Sequence, residues 1–306
     1  MTSRRFFLQQ SSMLAAASTV LPALSSVAAT APLFRISLAQ WSLNRILFGG
    51  ELDNLDFPAF ARTEFDISAV EYVNQFWKDK AEDSAYLADL KQRCDDNGVR
   101  SVLIMCDGEG LLGDPDADAR TQAVENHYKW ITAAATLGCH SIRVNAQSAG
   151  SWDEQVALAA DGLGRLSEFA AGHGLNVIVE NHGGLSSNGQ WLGEVMRRID
   201  RGNCGTLPDF GNFTISPDEH YDRYQGVEEL MPWAKGVSAK SYAFDADGNE
   251  TMLDYRRLLR IVLDAGYRGH VGIEWEGQVP ASQPAGVRLT KALLERVREE
   301  LAAEYA

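Results

Sequence analysis

Four stretches of this chain follow one local rule. In "DDNGVRSVLIM", "ATLGCHSIRVN", "AGHGLNVIVEN" and "DAGYRGHVGIEW" a helical pattern stops at a glycine, and a short β-rich run follows within a few residues. Glycine takes the left-handed conformation that ends helices, so each stretch reads as the second half of a β/α repeat. Between them lie amphipathic runs such as "SAYLADLKQRC" and "YRRLLRIVLDA", with apolar residues three and four apart. Strands that alternate with helices build a parallel sheet.

Eight strand candidates can be counted: "ISLAQW" at 36, "AVEYV" at 69, "SVLIM" at 101, "SIRVN" at 141, "VIVEN" at 177, "CGTLPD" at 204, "GVSAK" at 236 and "VGIEW" at 271. Their spacing of 27 to 40 residues fits an α/β fold of one kind, a single (β/α)8 TIM barrel over residues 32–306. An open doubly wound sheet is the competing arrangement, but no Gly-x-Gly-x-x-Gly follows the first strand.

The first 31 residues read as a cleaved export signal. "TSRRFFLQQ" precedes "SSMLAAASTVLPALSSVAATA", a moderately apolar stretch that ends in small residues. Arg4-Arg5 followed by Phe7-Leu8 resembles a twin-arginine leader, which implies a translocase that carries folded proteins and a periplasmic or exported product. Pro22 and the serines make the stretch a poor permanent span, and no later segment supplies one. Of the 28 basic residues the leader holds two, and it holds none of the 42 acidic ones, so the remainder carries a net charge of −16. Such a chain repels phosphate backbones, which argues against nucleic acid as a partner. Cys94, Cys106, Cys139 and Cys204 show no paired or metal-type spacing and are expected to be buried and reduced.

In a (β/α)8 barrel the chemistry sits at the carboxyl ends of the strands. Strand five ends in Glu180 and His182, strand six in Asp209, strand seven in Ser238 and Lys240, and strand eight in Glu274 and Glu276. Residues two apart on a strand share a face, so these side chains converge on one mouth. Three carboxylates in one place repel one another unless a cation or a shared proton holds them. A divalent metal held by Glu180, Asp209 and Glu274 is the simplest solution. Hard oxygen donors favour Mn²⁺ or Mg²⁺, with Zn²⁺ or Co²⁺ as alternatives. The competing reading makes the acids ordinary helix caps in the βα loops. His182 is read as a ligand or substrate contact, or as packing beneath the Gly183-Gly184 turn. Lys240 is either a solvated cation at a strand end or an electrophile over a sugar oxygen.

These residues resemble the xylose isomerase-like barrel superfamily, the sugar phosphate isomerase/epimerase group. The carrying stretches are "SLAQWSLNRILFGG", "GCHSIRVNA", "VIVENHGG", "LPDFGNF", "VSAKSYAFDADGNE" and "GIEWEG". The resemblance implies one divalent metal on Glu180, Asp209 and Glu274, with Ser238 at the position of a further histidine ligand. A second family histidine corresponds to Asn212, and Lys240 matches a lysine common in the group. The resemblance also implies that the two glutamates flank the substrate carbon as an acid/base pair while the metal stabilises an enediolate. From their place at the strand ends, His182 and Lys240 are expected to orient the sugar.

The expected function is therefore a metal-assisted sugar isomerase or epimerase acting on a small carbohydrate. The same enediolate can expel a β-substituent, so a lyase or dehydratase of keto-sugars or 3-keto-glycosides is the alternative. A periplasmic sugar-binding protein without catalysis is a third reading, prompted by Ser238 and Asn212. Around the centre, Trp41 is placed as a platform for a sugar face, with Glu71, Arg143 and Asn145 as polar contacts; Glu71 and Arg143 can also be read as a barrel ion pair. Asp107 and Glu109 belong to a loop over the mouth, and Phe76 and Trp77 are candidates for its roof. His127, His140, His173, His220 and His270 receive no role. Assembly as a homo-oligomer is left open.

Overall fold

The computed structural model describes residues 32–305, and the proposed export signal lies outside them. Eight parallel strands form the barrel. They are β1 (Arg35–Ala39), β2 (Ala69–Val73), β3 (Arg100–Met105), β4 (Ser141–Val144), β5 (Asn176–Glu180), β6 (Cys204–Leu207), β9 (Val237–Ser241) and β10 (His270–Trp275). The order β6-β5-β4-β3-β2-β1-β10-β9 makes each a neighbour of the next around the ring. Isolated main-chain bonds join the two ends: Lys235 donates to Thr206, Ser238 to Pro208, and Phe210 to Ser238. All eight strands anticipated from sequence are present. A short antiparallel pair, β7 (Thr214–Ser216) with β8 (Glu219–His220), follows β6 and was not anticipated.

The helices are α1 (Asn44–Phe48), α2 (Phe57–Phe65), α3 (Ser84–Asn97), α4 (Ala117–Leu137), α5 (Trp152–Ala171), α6 (Gly189–Ile199), α7 (Arg223–Leu230), α8 (Tyr255–Asp264) and α9 (Gln283–Leu301). Short polar side chains start them. Asp83, Asp116, Asn188, Asp222 and Asp254 accept from first-turn N–H groups, and Ser151 with Glu154 forms a capping box. At the other end, Gly98 and Gly138 close α3 and α4 at φ 62° and 78°, where a side chain would be strained.

The main core lies between strands and helices. A smaller cluster, including Ala39, Ala69, Val73, Leu103, Met105, Ile178 and Leu207, fills the barrel interior. The strand period of two then dictates what comes above it. Ile178 is followed by Glu180, Leu207 by Asp209, Val73 by Gln75, and Met105 by Asp107. Each inward row therefore changes from apolar to polar at the carboxyl end, which is where a barrel of this kind places its site.

Candidate active site

Glu180 on β5, Asp209 just past β6 and Glu274 on β10 bring carboxylate oxygens within 4.8 Å of one another, all three buried. Neighbouring donors hold them there. Asn212 Nδ2 donates to Glu180 Oε1 at 2.8 Å, Ser238 Oγ to Glu274 Oε2 at 2.7 Å, and the Gly211 and Asn212 N–H groups to Asp209 Oδ1 at 2.8 Å. Asn181 ties the β6 end to β5: its Oδ1 accepts from Asp209 N, and its Nδ2 donates to the Asp209 and Asn212 carbonyls.

Two buried cations reach the cluster. Arg143 Nε lies 2.5 Å from Glu180 Oε2, but its N–H points outside hydrogen-bond geometry and neither atom has a partner that satisfies it. The same guanidinium donates to Asp107 at 2.8 Å. Lys240 Nζ sits 3.4 Å from Glu274 and Glu276 and 3.8 Å from Asp209 Oδ2. With 1% of Lys240 exposed, its reading as a solvated strand-end cation is excluded.

The charges answer to this packing. Burial drives the Asp209 carboxyl up to about 8, against the pull of Lys240. Burial raises Glu274 as well, but Lys240, Ser238, Arg143 and His182 outweigh it and hold that carboxyl below its ordinary value. Burial opposes the Lys240 charge, yet Asp209, Glu274 and Glu276 keep the ammonium well above the usual lysine range. For Asp107, Arg143 and Asn145 overcome burial and hold it at about 2.

The mouth contains a cavity of about 350 Å³. Trp41, Asp107, Arg143, Asn145, His182 and Glu274 line it, as does Glu276. Trp41 Nε1 donates to Glu276 at 2.8 Å, which locks the indole against the charged floor. Cavities of about 470 and 540 Å³ lie at the strands' amino ends and beside α6, away from these carboxylates.

Several expectations need correction. Glu71 does not reach the cavity; its carboxylate accepts from Ser37 Oγ at 2.5 Å inside the barrel, across from Gly272, and burial raises it to about 7. Nor does it pair with Arg143, whose partners are Glu180 and Asp107. Trp77 is core, 2% exposed and packed edge-on against Trp130. Glu109 turns inward to accept from Trp130 and pair with Lys129, so it pins the loop and only Asp107 faces the mouth. Asn181 and Gln147 join the site beyond the residues expected from sequence, as does Phe48 on the rim; a polar residue beside the inward row at a strand end marks the first two, and no sequence periodicity marks Phe48. Cys94, Cys106, Cys139 and Cys204 are free and buried.

The donor set fits a hard divalent cation. It is all oxygen, with no imidazole or thiolate among the three clustered residues, and Asp209 Oδ2 and Glu180 Oε2 are buried without hydrogen-bond partners among the described residues. Lys240 and Arg143 offset only part of the negative charge, because Glu276 and Asp107 draw on the same two cations.

A parallel (β/α)8 barrel with an acid-lined carboxyl-end mouth defines the class as a barrel of the enzyme type. The chain belongs to the xylose isomerase-like TIM barrel family, whose sequence pattern matches residues 60–299. It is 38% identical over 91 residues to the C-glycoside deglycosidase alpha subunit of Arthrobacter globiformis, covering 28% of this chain and 24% of that protein. It is 24% identical over 154 residues to the inosose dehydratase of Geobacillus thermodenitrificans, covering 43% of this chain and 51% of that one. In both cases the match spans well under two thirds of the relative.

Solved structures share the fold at low identity. The L-ribulose 3-epimerase has a TM-score of 0.68 and 15% identity, with 89% of this chain and 96% of that one covered. The 3-keto-D-glucoside 4-epimerase of E. coli gives 0.63 and 17%, with 86% and 99% covered. An IOLI protein with a bound zinc atom gives 0.66 and 12%, with 89% and 99% covered.

Proposed function

We propose that this protein is a divalent-metal-assisted sugar isomerase or epimerase that removes and returns a proton beside a carbonyl. The observation that carries the reading is the convergence of Glu180, Asp209 and Glu274, from three strands, within 4.8 Å at the barrel mouth. Glu180, Asp209 and Glu274 would hold the ion, and Mn²⁺ or Mg²⁺ suits their oxygens better than Zn²⁺. When bound, such an ion polarises a carbonyl and its adjacent hydroxyl and stabilises the charge that develops there.

The chain's own residues account for the rest. Glu274 faces the cavity and is held ionised by Lys240 and Ser238, which is the state a base requires. Glu180 is oriented by Asn212 and Arg143 and serves as its counterpart. Asn145 and Asp107 form a hydrogen-bonded pair at the rim, and Trp41 presents an apolar face, so a sugar meets polar groups on one side and an indole on the other. His182, exposed at the mouth, contacts the sugar, and Lys240 anchors the acids beneath it.

The sequence relatives favour a second reading, because a deglycosidase and a dehydratase are both found among them. The same proton removal, followed by loss of a β-substituent, makes the protein a lyase of keto-sugars or 3-keto-glycosides. Product analysis by NMR separates the two, since epimerisation conserves mass whereas elimination releases water or an aglycone. Loss of all product in Glu180→Gln and Glu274→Gln is expected; full turnover in both would refute the proton-transfer reading.

Export is proposed as well. Arg4-Arg5 and the apolar stretch behind them support passage through the twin-arginine pathway. A reporter fused after residue 31 should reach the periplasm and stop doing so when both arginines become lysine.

A further inference from the structure

We propose that the sugar taken at this mouth carries an apolar, aromatic substituent, and that Trp41, Phe48 and Phe76 form the subsite for it. The inference rests on the carbohydrate reading above and adds the substrate class.

Phe48 is 61% exposed, although it is held firmly in place. The buried Gln283 accepts from the Arg45 and Ile46 N–H groups and donates to Asn44 Oδ1, which fastens the short helix α1 that carries it. Such exposure is therefore built into the fold and is not the fraying of a loose end.

The ring does not stand alone. Phe48 lies 4.8 Å from Phe76, and each lies 6.2 Å from Trp41, with interplanar angles of 53°, 88° and 37°. Single exposed apolar residues are ordinary, but a contiguous aromatic surface joined to a polar pocket marks a place for an apolar ligand group. Trp41 is the link, because it lines the cavity and donates to Glu276, which in turn contacts Lys240. From that indole the aromatic surface continues outward through Phe76 to Phe48.

A sugar face stacks on one ring plane. Three rings in contact with one another form a continuous aromatic patch beside the cavity, which suits the face or edge of a flat aromatic group. Carboxylates, amides and Arg143 occupy the inner cavity, where a hydroxylated ring is recognised, whereas the outer aromatic group offers nothing to hydroxyls.

The test compares phenyl and methyl 3-keto-glucosides as ligands, with dissociation constants measured for the wild type and Phe48→Ala. The wild type should prefer the phenyl compound, and Phe48→Ala should lose about two- to tenfold in affinity for it while the methyl compound is unaffected. Equal losses for both compounds, or an unchanged phenyl preference, would overturn the subsite and leave the carbohydrate reading intact. A Phe48→Ala protein of lower mass in sedimentation would show that the rings meet a second copy of the chain, and would also overturn it. Failure of the phenyl compound to bind would likewise overturn the aromatic subsite, and the carbohydrate reading would still stand or fall by the product analysis above.

Discussion

Lys240→Met removes the ammonium that lies between Glu274, Glu276 and Asp209. Methionine keeps the length of the apolar stem, so the change isolates the charge. Removing one partner from a buried ion pair costs about 3–5 kcal/mol, because the other partner is left uncompensated. For a chain of this size each kcal/mol lowers the melting temperature by about 2–4 °C, so a fall of about 6–20 °C is expected in chelator-treated protein. A divalent ion uses the same oxygens, and saturation at a hundred times its dissociation constant returns about 2.7 kcal/mol. Added Mn²⁺ should therefore recover a large part of the loss, and more than it adds to the wild type. Lys91→Met, which breaks an exposed pair with Asp95, is the control and should cost under about 1 kcal/mol. Scanning calorimetry with chelator and with Mn²⁺ supplies all the values. An unchanged melting temperature in Lys240→Met, or no greater rescue by Mn²⁺ than in the wild type, would refute the charge argument.

Glu71 gives a pH signature. Its folded carboxyl titrates at about 7 against an ordinary 4.5, so the folded protein keeps a proton that the unfolded chain releases. Its contribution is fully present below pH 4.5 and is lost as the pH rises to about 7, at most about 3 kcal/mol. Urea titrations of metal-free protein should show this slope in the wild type but not in Glu71→Gln; equal slopes would contradict it. Asn181→Ala removes two buried hydrogen bonds and one partly buried one around Asp209, and should cost about 1–3 kcal/mol per buried unsatisfied group and weaken Mn²⁺ binding. Ser238→His places an imidazole beside the Glu274 and Asp209 carboxylates, and if these hold the ion it should tighten Mn²⁺ binding in a calorimetric titration.

The strands were legible because each buried run, such as Val177 to Val179, is bounded by a turn and preceded by a capped helix. Period two then placed Glu180, Asp209, Ser238, Lys240 and Glu274 on one inward face without knowledge of the tertiary structure. What could not be read was which charge meets which. Arg143 serves Glu180 and Asp107, and not Glu71, because the inward rows are staggered in height and Glu71 lies level with Gly272, a layer lower. The small hairpin after β6 leaves no alternation in the sequence because β7 and β8 are only three and two residues long. Trp77 and Phe76 are adjacent, yet one enters the core and the other reaches the rim; loop geometry decides this, and no periodicity announces it.

The account is tested most directly by hydrogen exchange at the carbon beside the carbonyl of a keto-sugar that has no β-leaving group, followed by NMR in deuterium oxide. Such a sugar permits only removal and return of the proton. The wild-type protein is expected to replace that hydrogen with deuterium, with exchange falling sharply in Glu180→Gln and Glu274→Gln. A sugar that binds and shows no exchange, or exchanges equally in all three proteins, would contradict the role given to the carboxylates at the mouth.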